Sequence, residues 1–192
     1  MFIGGFVPCS LSDFPGRLAA VVFTQGCNWR CPWCHNPALV YPEQFTVSLD
    51  EAAIVARLGA RRQRLDGVVI SGGEPTLQRD LPEFLARVRS LGLQTKLDTN
   101  GSQPRVVRAL IEAGLLDFVA VDLKAPWACY AEAVGVPVST ESIQETVDLL
   151  RSAGVEHQLR TTRWRPFTSA EEAELAAIAA GSPLVWQELV PR

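Results

Sequence analysis

Apolar runs and amphipathic stretches alternate along this chain, and that alternation constrains its fold more than any other feature. The apolar runs fall at residues 18–24, 67–71, 93–99, 117–124, 155–162 and 184–189. Between most of them, apolar positions recur at helical spacing. Ile54, Leu58 and Leu65 follow a Ser48/Asp50 start signal, and Leu81, Phe84, Leu85, Val88 and Leu91 make a second stripe. Val106, Val107, Leu110 and Ile111 precede Gly114, Ile143, Val147 and Leu150 precede Gly154, and Leu175, Ile178 and Ala179 precede Gly181. Strand followed by helix, repeated, implies a parallel sheet with right-handed crossovers. Six strands are too few for a complete eight-stranded barrel. An open, partial barrel and a doubly wound sheet remain.

The pattern inside the strands separates these two. In 117–124, Val119, Val121 and Leu123 take one face, while Phe118, Ala120, Asp122 and Lys124 take the other. In 93–99, Leu93 and Leu97 oppose Gln94, Lys96 and Asp98. In 155–162, Gln158, Arg160 and Thr162 share a face. A doubly wound sheet has helices on both faces, so its strands read as nearly all apolar. A charged face on three separate strands fits a barrel interior, where each charge finds a partner or a ligand. The expectation is an α/β protein built as an open partial (β/α)6 barrel with parallel strands. No long linker or low-complexity stretch divides residues 1–192, which read as one domain.

A long loop, from residue 25 to about 47, carries Cys27, Cys31 and Cys34. Three cysteines within eight positions suggest metal binding rather than a disulfide framework. Thiolates spaced C-x3-C-x2-C can wrap three corners of a cubane, whereas an ordinary cluster takes four cysteines. One iron is then open to an exogenous ligand, such as the amine and carboxylate of an amino acid. Plainer readings compete. Zinc with His35 as fourth ligand lacks the usual two separated ligand pairs. A redox dithiol at Cys31 and Cys34 leaves Cys27 without a role. Cys31-Pro32-Trp33-Cys34-His35 matches the c-type haem pattern, but that attachment belongs to exported proteins and no signal peptide is visible. The loop favours a cluster. Cys9 and Cys129 lack cluster spacing and read as ordinary small side chains.

Composition removes other classes. A net charge of -3 argues against nucleic-acid binding, and the basic runs at 61–64 and 163–165 read as solvated surface. No apolar run approaches the ~20 residues of a membrane helix. The expected location is the cytoplasm, where thiols stay reduced.

The C-x3-C-x2-C spacing with Trp33 before the last cysteine resembles the signature of the radical S-adenosylmethionine superfamily. Ser10-Leu11-Ser12-Asp13-Phe14-Pro15-Gly16, leading to Thr24-Gln25-Gly26-Cys27, and then Cys34-His35-Asn36-Pro37 resemble its glycyl-radical-enzyme activases. Those of anaerobic ribonucleoside-triphosphate reductase match best, in patches from residue 6 to 160. The resemblance implies a [4Fe-4S] cluster on Cys27, Cys31 and Cys34, S-adenosylmethionine at its open iron, and cofactor contacts from Trp33 and Asn36.

The remaining motifs end successive strands. Gly72-Gly73-Glu74-Pro75 alone is a turn. Beside such a loop it resembles the superfamily motif whose backbone and glutamate meet the substrate amino group, and glycines let a ligand approach closely. Asp98-Thr99-Asn100-Gly101 and Asp122-Leu123-Lys124 resemble activase segments that surround the sulfonium, with Asp98, Asn100, Asp122 and Lys124 as the cofactor-binding residues. Arg160 resembles an arginine that meets the substrate carboxylate. Ribose hydroxyls or a bound cation are candidate partners of Asp98 and Asp122, while Asp122 and Lys124 can also simply neutralise each other. Parallel strands gather all these ends on one rim.

The chemistry implied is reductive cleavage of S-adenosylmethionine to a 5′-deoxyadenosyl radical, which abstracts hydrogen from a backbone glycine of a partner. Anaerobic ribonucleotide reductase is the first partner implied, with flavodoxin or ferredoxin as low-potential electron donor. Activation of pyruvate formate-lyase is a close rival, and a small-molecule radical reaction is more distant. A non-catalytic metal-binding or redox-sensing module is the alternative from another class.

Overall fold

Seven strands form one sheet whose spatial order is its order in the chain: β1 (Ile3–Ser10), β2 (Ala19–Thr24), β3 (Gly67–Gly72), β4 (Gln94–Thr99), β5 (Phe118–Asp122), β6 (Glu156–Arg163) and β7 (Leu184–Glu188). This computed structural model describes residues 1–189. From β2 to β7 every pairing is parallel. A doubly wound sheet reverses its strand order partway, and this one does not. It is an open, singly wound sheet, the partial barrel expected. Each crossover turns the same way, which stacks the helices on one face.

The helices are α1 (Glu51–Arg61), α2 (Leu81–Ser90), α3 (Pro104–Glu112), α4 (Tyr130–Val134), α5 (Thr140–Ser152) and α6 (Ser169–Ile178), of which the short α4 lies instead against the loop that follows β2. Asp50 caps α1 by accepting the Ala52 N–H at 3.0 Å. In α2, Leu81, Phe84, Leu85 and Val88 are buried, the i, i+3, i+4, i+7 stripe of a core-facing helix. They pack with Ile54, Leu58, Val107 and Val147 on Val22, Ile70, Leu97, Val121 and Leu159 of the sheet. Leu65, expected on the first helix, lies beyond its end at Arg61 and is buried before β3.

Two elements escaped the sequence reading. β1 pairs antiparallel with β2 and has register irregularities at Ile3/Gly5 and Val7/Ser10. Gly4, Gly5 and Pro8 blur its period, and an edge strand tolerates them. α4 has five residues, too few for helical spacing to show.

The inner face changes character with depth. Phe14, Ala19, Val21, Val69, Phe118 and Ala120 make an apolar floor, with Phe14 edge-on to Phe118 at 5.9 Å. Above it lie Lys96, Asp98, Asp122 and Arg160, and above those the rim loops. Among the described residues, no helix is long and apolar enough to cross a membrane.

Candidate active site

β2 delivers the chain to the rim, where the cysteine loop begins. Its path is pinned by backbone bonds from Gly26 N–H to the Leu39 carbonyl and from Arg30 N–H to the Val134 carbonyl, both 2.8 Å. The Arg30 guanidinium donates to the carbonyls of Cys27 and Trp29 at 2.7 Å each. Trp33 donates its indole N–H to the Ala133 carbonyl at 3.0 Å and stacks on Trp164, rings 3° from parallel. Lys124 Nζ lies 5.1 Å from the Trp33 ring. The unforeseen α4 thus supplies two of the loop's anchors, through Ala133 and Val134.

The turn after β3 grips the loop from the other side. Gly73 N–H donates to the Thr24 carbonyl at 2.9 Å and Glu74 N–H to the Gly26 carbonyl at 2.8 Å. Gly72 adopts φ +111°, and a Cβ there would lie 2.5 Å from Thr24 backbone atoms. The close approach that these glycines permit is occupied by protein backbone, an additional reason for glycine beside the ligand contact expected from sequence.

Glu74 is fully buried, and among the described residues no Lys, Arg or His forms an ion pair with it. One carboxylate oxygen accepts from Thr76 N–H at 3.1 Å, from the Thr76 hydroxyl, and from the Thr99 hydroxyl at 2.7 Å; the other accepts from Asn100 N–H at 2.7 Å. Burial pushes its pKa up, and these donors pull it back. Asn100 continues the link by donating to the Asn28 side chain at 2.8 Å, and Asn28 donates to Ser102 at 2.9 Å.

Below the rim, charges alternate across three strands. Lys96 bonds Asp98, Arg160 bonds Asp98 at 3.1 Å and Asp122 at 2.8 Å, and Lys124 bonds Asp122 at 2.9 Å. Three cations face two carboxylates, leaving a surplus of one positive charge. Burial works against the charge of Asp122, but Arg160 and Lys124 outweigh it and hold that carboxyl well below its usual range. Asp122 and Lys124 do neutralise each other here, as members of a larger network.

Cys27, Cys31, Cys34, Gly72, Gly73, Glu74, Asp98, Asn100, Asp122 and Lys124 line one cavity of about 90 Å³. An adjoining cavity of about 370 Å³ is walled by Trp33 and Asn36 and shares Cys31, Cys34, Gly72 and Lys124 with the first. Arg160 lies behind Asp98 and Asp122, bonded to both. The structure therefore gathers the thirteen sequence-derived site residues around two joined chambers or directly behind them. Sequence reasoning missed Lys96, Asn28 and Thr99 as members. Lys96 carried a signal: a cation on the inner face of a buried strand demands a partner.

Burial raises the Cys27 thiol to about 11 against the pull of the Trp29 N–H, and it raises Cys31 against the pull of Lys124. Among the described residues, no three His, Cys, Asp or Glu side chains converge as a single metal ion requires. The thiols instead open together on one chamber, from one loop. That donor set suits a cluster better than zinc.

Fold and rim together define a class: open α/β barrels that bind above the C-terminal ends of their strands. Residues 21–165 match the family model of the Radical SAM superfamily, and the chain belongs to that superfamily. It is 36% identical over 166 residues to a Methanocaldococcus jannaschii protein provisionally named a glycyl-radical enzyme activating enzyme, covering 83% of this chain and 67% of that protein. It is 31% identical over 154 residues to a GTP 3′,8-cyclase of Marinobacter nauticus, covering 75% of this chain and 45% of the other. The crystal structure of Streptococcus suis SuiB bound to S-adenosylmethionine shares the fold, with a TM-score of 0.72 and 16% identity over 90% of this chain and 40% of SuiB. The chain thus spans about two thirds of the first relative and less than half of the others. The Radical SAM superfamily to which it belongs uses a [4Fe-4S] cluster and S-adenosylmethionine.

Proposed function

We propose that Cys27, Cys31 and Cys34 hold the cluster and that the chain installs a glycyl radical on a partner enzyme. One observation carries the site assignment: three thiols from one loop, the buried Glu74 carboxylate and a cation-rich network border the same chamber. When bound, the cluster supplies the electron that splits S-adenosylmethionine into methionine and a 5′-deoxyadenosyl radical.

The chain's own residues bind and orient. Glu74 keeps acceptor capacity on the oxygen bonded to Asn100 and takes the substrate ammonium. The surplus positive charge of Lys96, Arg160 and Lys124 over Asp98 and Asp122 suits the substrate carboxylate. Trp33 and Asn36 wall the outer chamber. No side-chain base is required for the cleavage. On this reading residues 1–192 work as one unit, in the cytoplasm, with flavodoxin or ferredoxin as electron donor.

Anaerobic ribonucleotide reductase is the proposed partner. The M. jannaschii relative and the likeness of segments 10–16 and 34–37 to glycyl-radical-enzyme activases support a glycyl radical enzyme as partner, and the choice of the reductase rests on the sequence resemblance alone. A small-molecule radical reaction is the second reading, favoured by the likeness to the cyclase.

The test is anaerobic reconstitution with iron and sulfide, then reduction with S-adenosylmethionine present. 5′-Deoxyadenosine is expected, and its absence sinks the enzymatic assignment. Adding the candidate reductase should then give a glycyl radical by electron paramagnetic resonance. Deoxyadenosine without that signal moves the reading to the small-molecule alternative.

A further inference from the structure

Behind the turn that carries Glu74, an apolar groove of about 450 Å³ runs between α2 and α3. Leu77, Pro82, Val106, Ala109, Leu110 and Leu115 wall it, and Arg79 and Arg105 stand where the two helices begin. Among the described residues, no carboxylate lines it. Other arginines of these two helices find partners: Arg87 pairs with Glu51, Arg89 with Asp117 and Arg108 with Glu145. Arg79 and Arg105 are exposed, and among the described residues their guanidinium groups have no ion pair or hydrogen bond. The apolar surface continues past the groove. Leu77 is 40% exposed, and Phe2, 69% exposed, is tied to the groove wall by its N–H, which donates to the Gln78 side chain at 2.9 Å.

An open apolar groove flanked by two idle cations fits an apolar surface that carries carboxylates. The chain's net charge of -3 repels acidic proteins in general, so these cations select where such a protein lands. Which protein follows from the groove's place. The proposed reaction needs two, one to give an electron and one to give a hydrogen atom. The hydrogen donor must reach the outer chamber, which is bordered by Thr162 of β6 and by Gln187 and Glu188 of β7. The groove belongs to the helices that follow β3 and β4, away from that border in the strand order, and its wall residue Thr76 bonds Glu74 of the inner chamber. A protein seated there leaves the outer chamber free. Electron-transfer interfaces are small, which suits a groove of this size. We propose that the α2–α3 groove docks an acidic one-electron carrier protein, with Arg79 and Arg105 as its charge contacts. The inference rests on the reading that the chain cleaves S-adenosylmethionine. The reduced carrier loses one electron, S-adenosylmethionine gains it, and the sulfonium–C5′ bond breaks to give methionine and the 5′-deoxyadenosyl radical.

The experiment titrates flavodoxin into the anaerobically reconstituted holoenzyme by calorimetry, and compares reduced flavodoxin with dithionite as the electron source. In Arg79→Glu/Arg105→Glu, the flavodoxin Kd should rise about 10-fold at low salt, and the gap to wild type should narrow at high salt. Ala109→Trp fills the groove without changing charge and should weaken binding about 10-fold at either salt. With subsaturating flavodoxin, 5′-deoxyadenosine formation should fall in step, while dithionite-driven formation stays at the wild-type level. Unchanged binding in either variant overturns the proposal, as does a wild type that binds neither flavodoxin nor an acidic ferredoxin. Loss of dithionite-driven cleavage in the variants also overturns it, because the groove then acts through the fold. Variants that keep flavodoxin-driven cleavage but no longer install a glycyl radical give the groove to the target enzyme instead. Wild type that forms no 5′-deoxyadenosine even with dithionite removes the enzymatic reading itself, a separate failure that the binding titration does not share.

Discussion

A Cβ on Gly73 would stand 2.1 Å from the carbonyl oxygen of Gly26, so the turn after β3 and the start of the cysteine loop meet backbone against backbone. Neither partner is a flexible side chain that can step aside. Gly73→Ala should therefore cost about 3 kcal/mol in the iron-free protein and lower the iron content after reconstitution. Gly92→Ala is the control. That glycine has φ +80° with open space around it, so alanine there meets only the backbone penalty of about 1 kcal/mol. Urea unfolding and iron analysis of both variants check the pair. Equal losses would mean that the contact with Gly26 is not what requires glycine.

Why the sequence revealed some of this and not the rest follows from range. The six parallel strands were legible because alternation within each is local, and the same alternation put Asp122 and Arg160 on the polar faces of their strands. β1 was hidden because an edge strand with Gly4, Gly5 and Pro8 has no clean period. The role of α4 was hidden more deeply, since the bonds from Arg30 and Trp33 to Val134 and Ala133 join residues about a hundred positions apart. The rim motifs could be placed from the sequence, but the bonding of Asp98 to both Lys96 and Arg160 could not. That pairing depends on the register of three strands and on the smallness of Ala120.

Glu74 joins the ends of β3 and β4 by accepting from Thr76, Thr99 and Asn100. In Glu74→Gln, an amide NH2 turned toward the Asn100 N–H sets donor against donor in a buried place. The expected loss is about 3 kcal/mol by urea unfolding, with weaker S-adenosylmethionine binding by dialysis. Thr99→Val removes one donor to Glu74 and the acceptor of the Gly101 N–H, and should cost about 2 kcal/mol. Should Glu74→Gln prove as stable as wild type, the carboxylate is not held by these donors in solution.

The Cys27 thiol is held near 11 by burial, from an ordinary value of 9.0. Thiolate is the reactive form, so two units leave about 100-fold less of it at pH 8. In the iron-free protein, alkylation of Cys27 by iodoacetamide should be slow at pH 8 and rise about tenfold per pH unit until about 11. Peptide mapping by mass spectrometry reads each site separately. After reconstitution Cys27, Cys31 and Cys34 should all be protected, while the exposed Cys9 still reacts. Cys27→Ala should lose the cluster, and Cys9→Ala should keep it. Protection of Cys9 in place of Cys27 would refute the ligand assignment.

Trp33 is supported from behind by Trp164 and the ion pair beyond it. Trp164, which stacks on Trp33, donates to the Lys124 carbonyl at 3.1 Å and lies under Arg165 at 5.0 Å. Arg165 in turn bonds Glu171 at 2.6 Å, within the capping box of α6 where Thr168 N–H donates to the same carboxylate at 2.8 Å. The Arg165 guanidinium, then the Thr168 backbone, hold the Glu171 carboxyl down to about 2, from an ordinary 4.5. A depressed carboxylate stabilises the fold fully above its unfolded value and loses that contribution as pH falls through the folded one. The gap in urea midpoint between wild type and Glu171→Gln should thus be constant above about pH 5 and close between pH 4.5 and 2. A gap that persists unchanged at about pH 2 would show that the ion pair and cap do not draw on the carboxylate charge, and that the support of Trp164 does not depend on it.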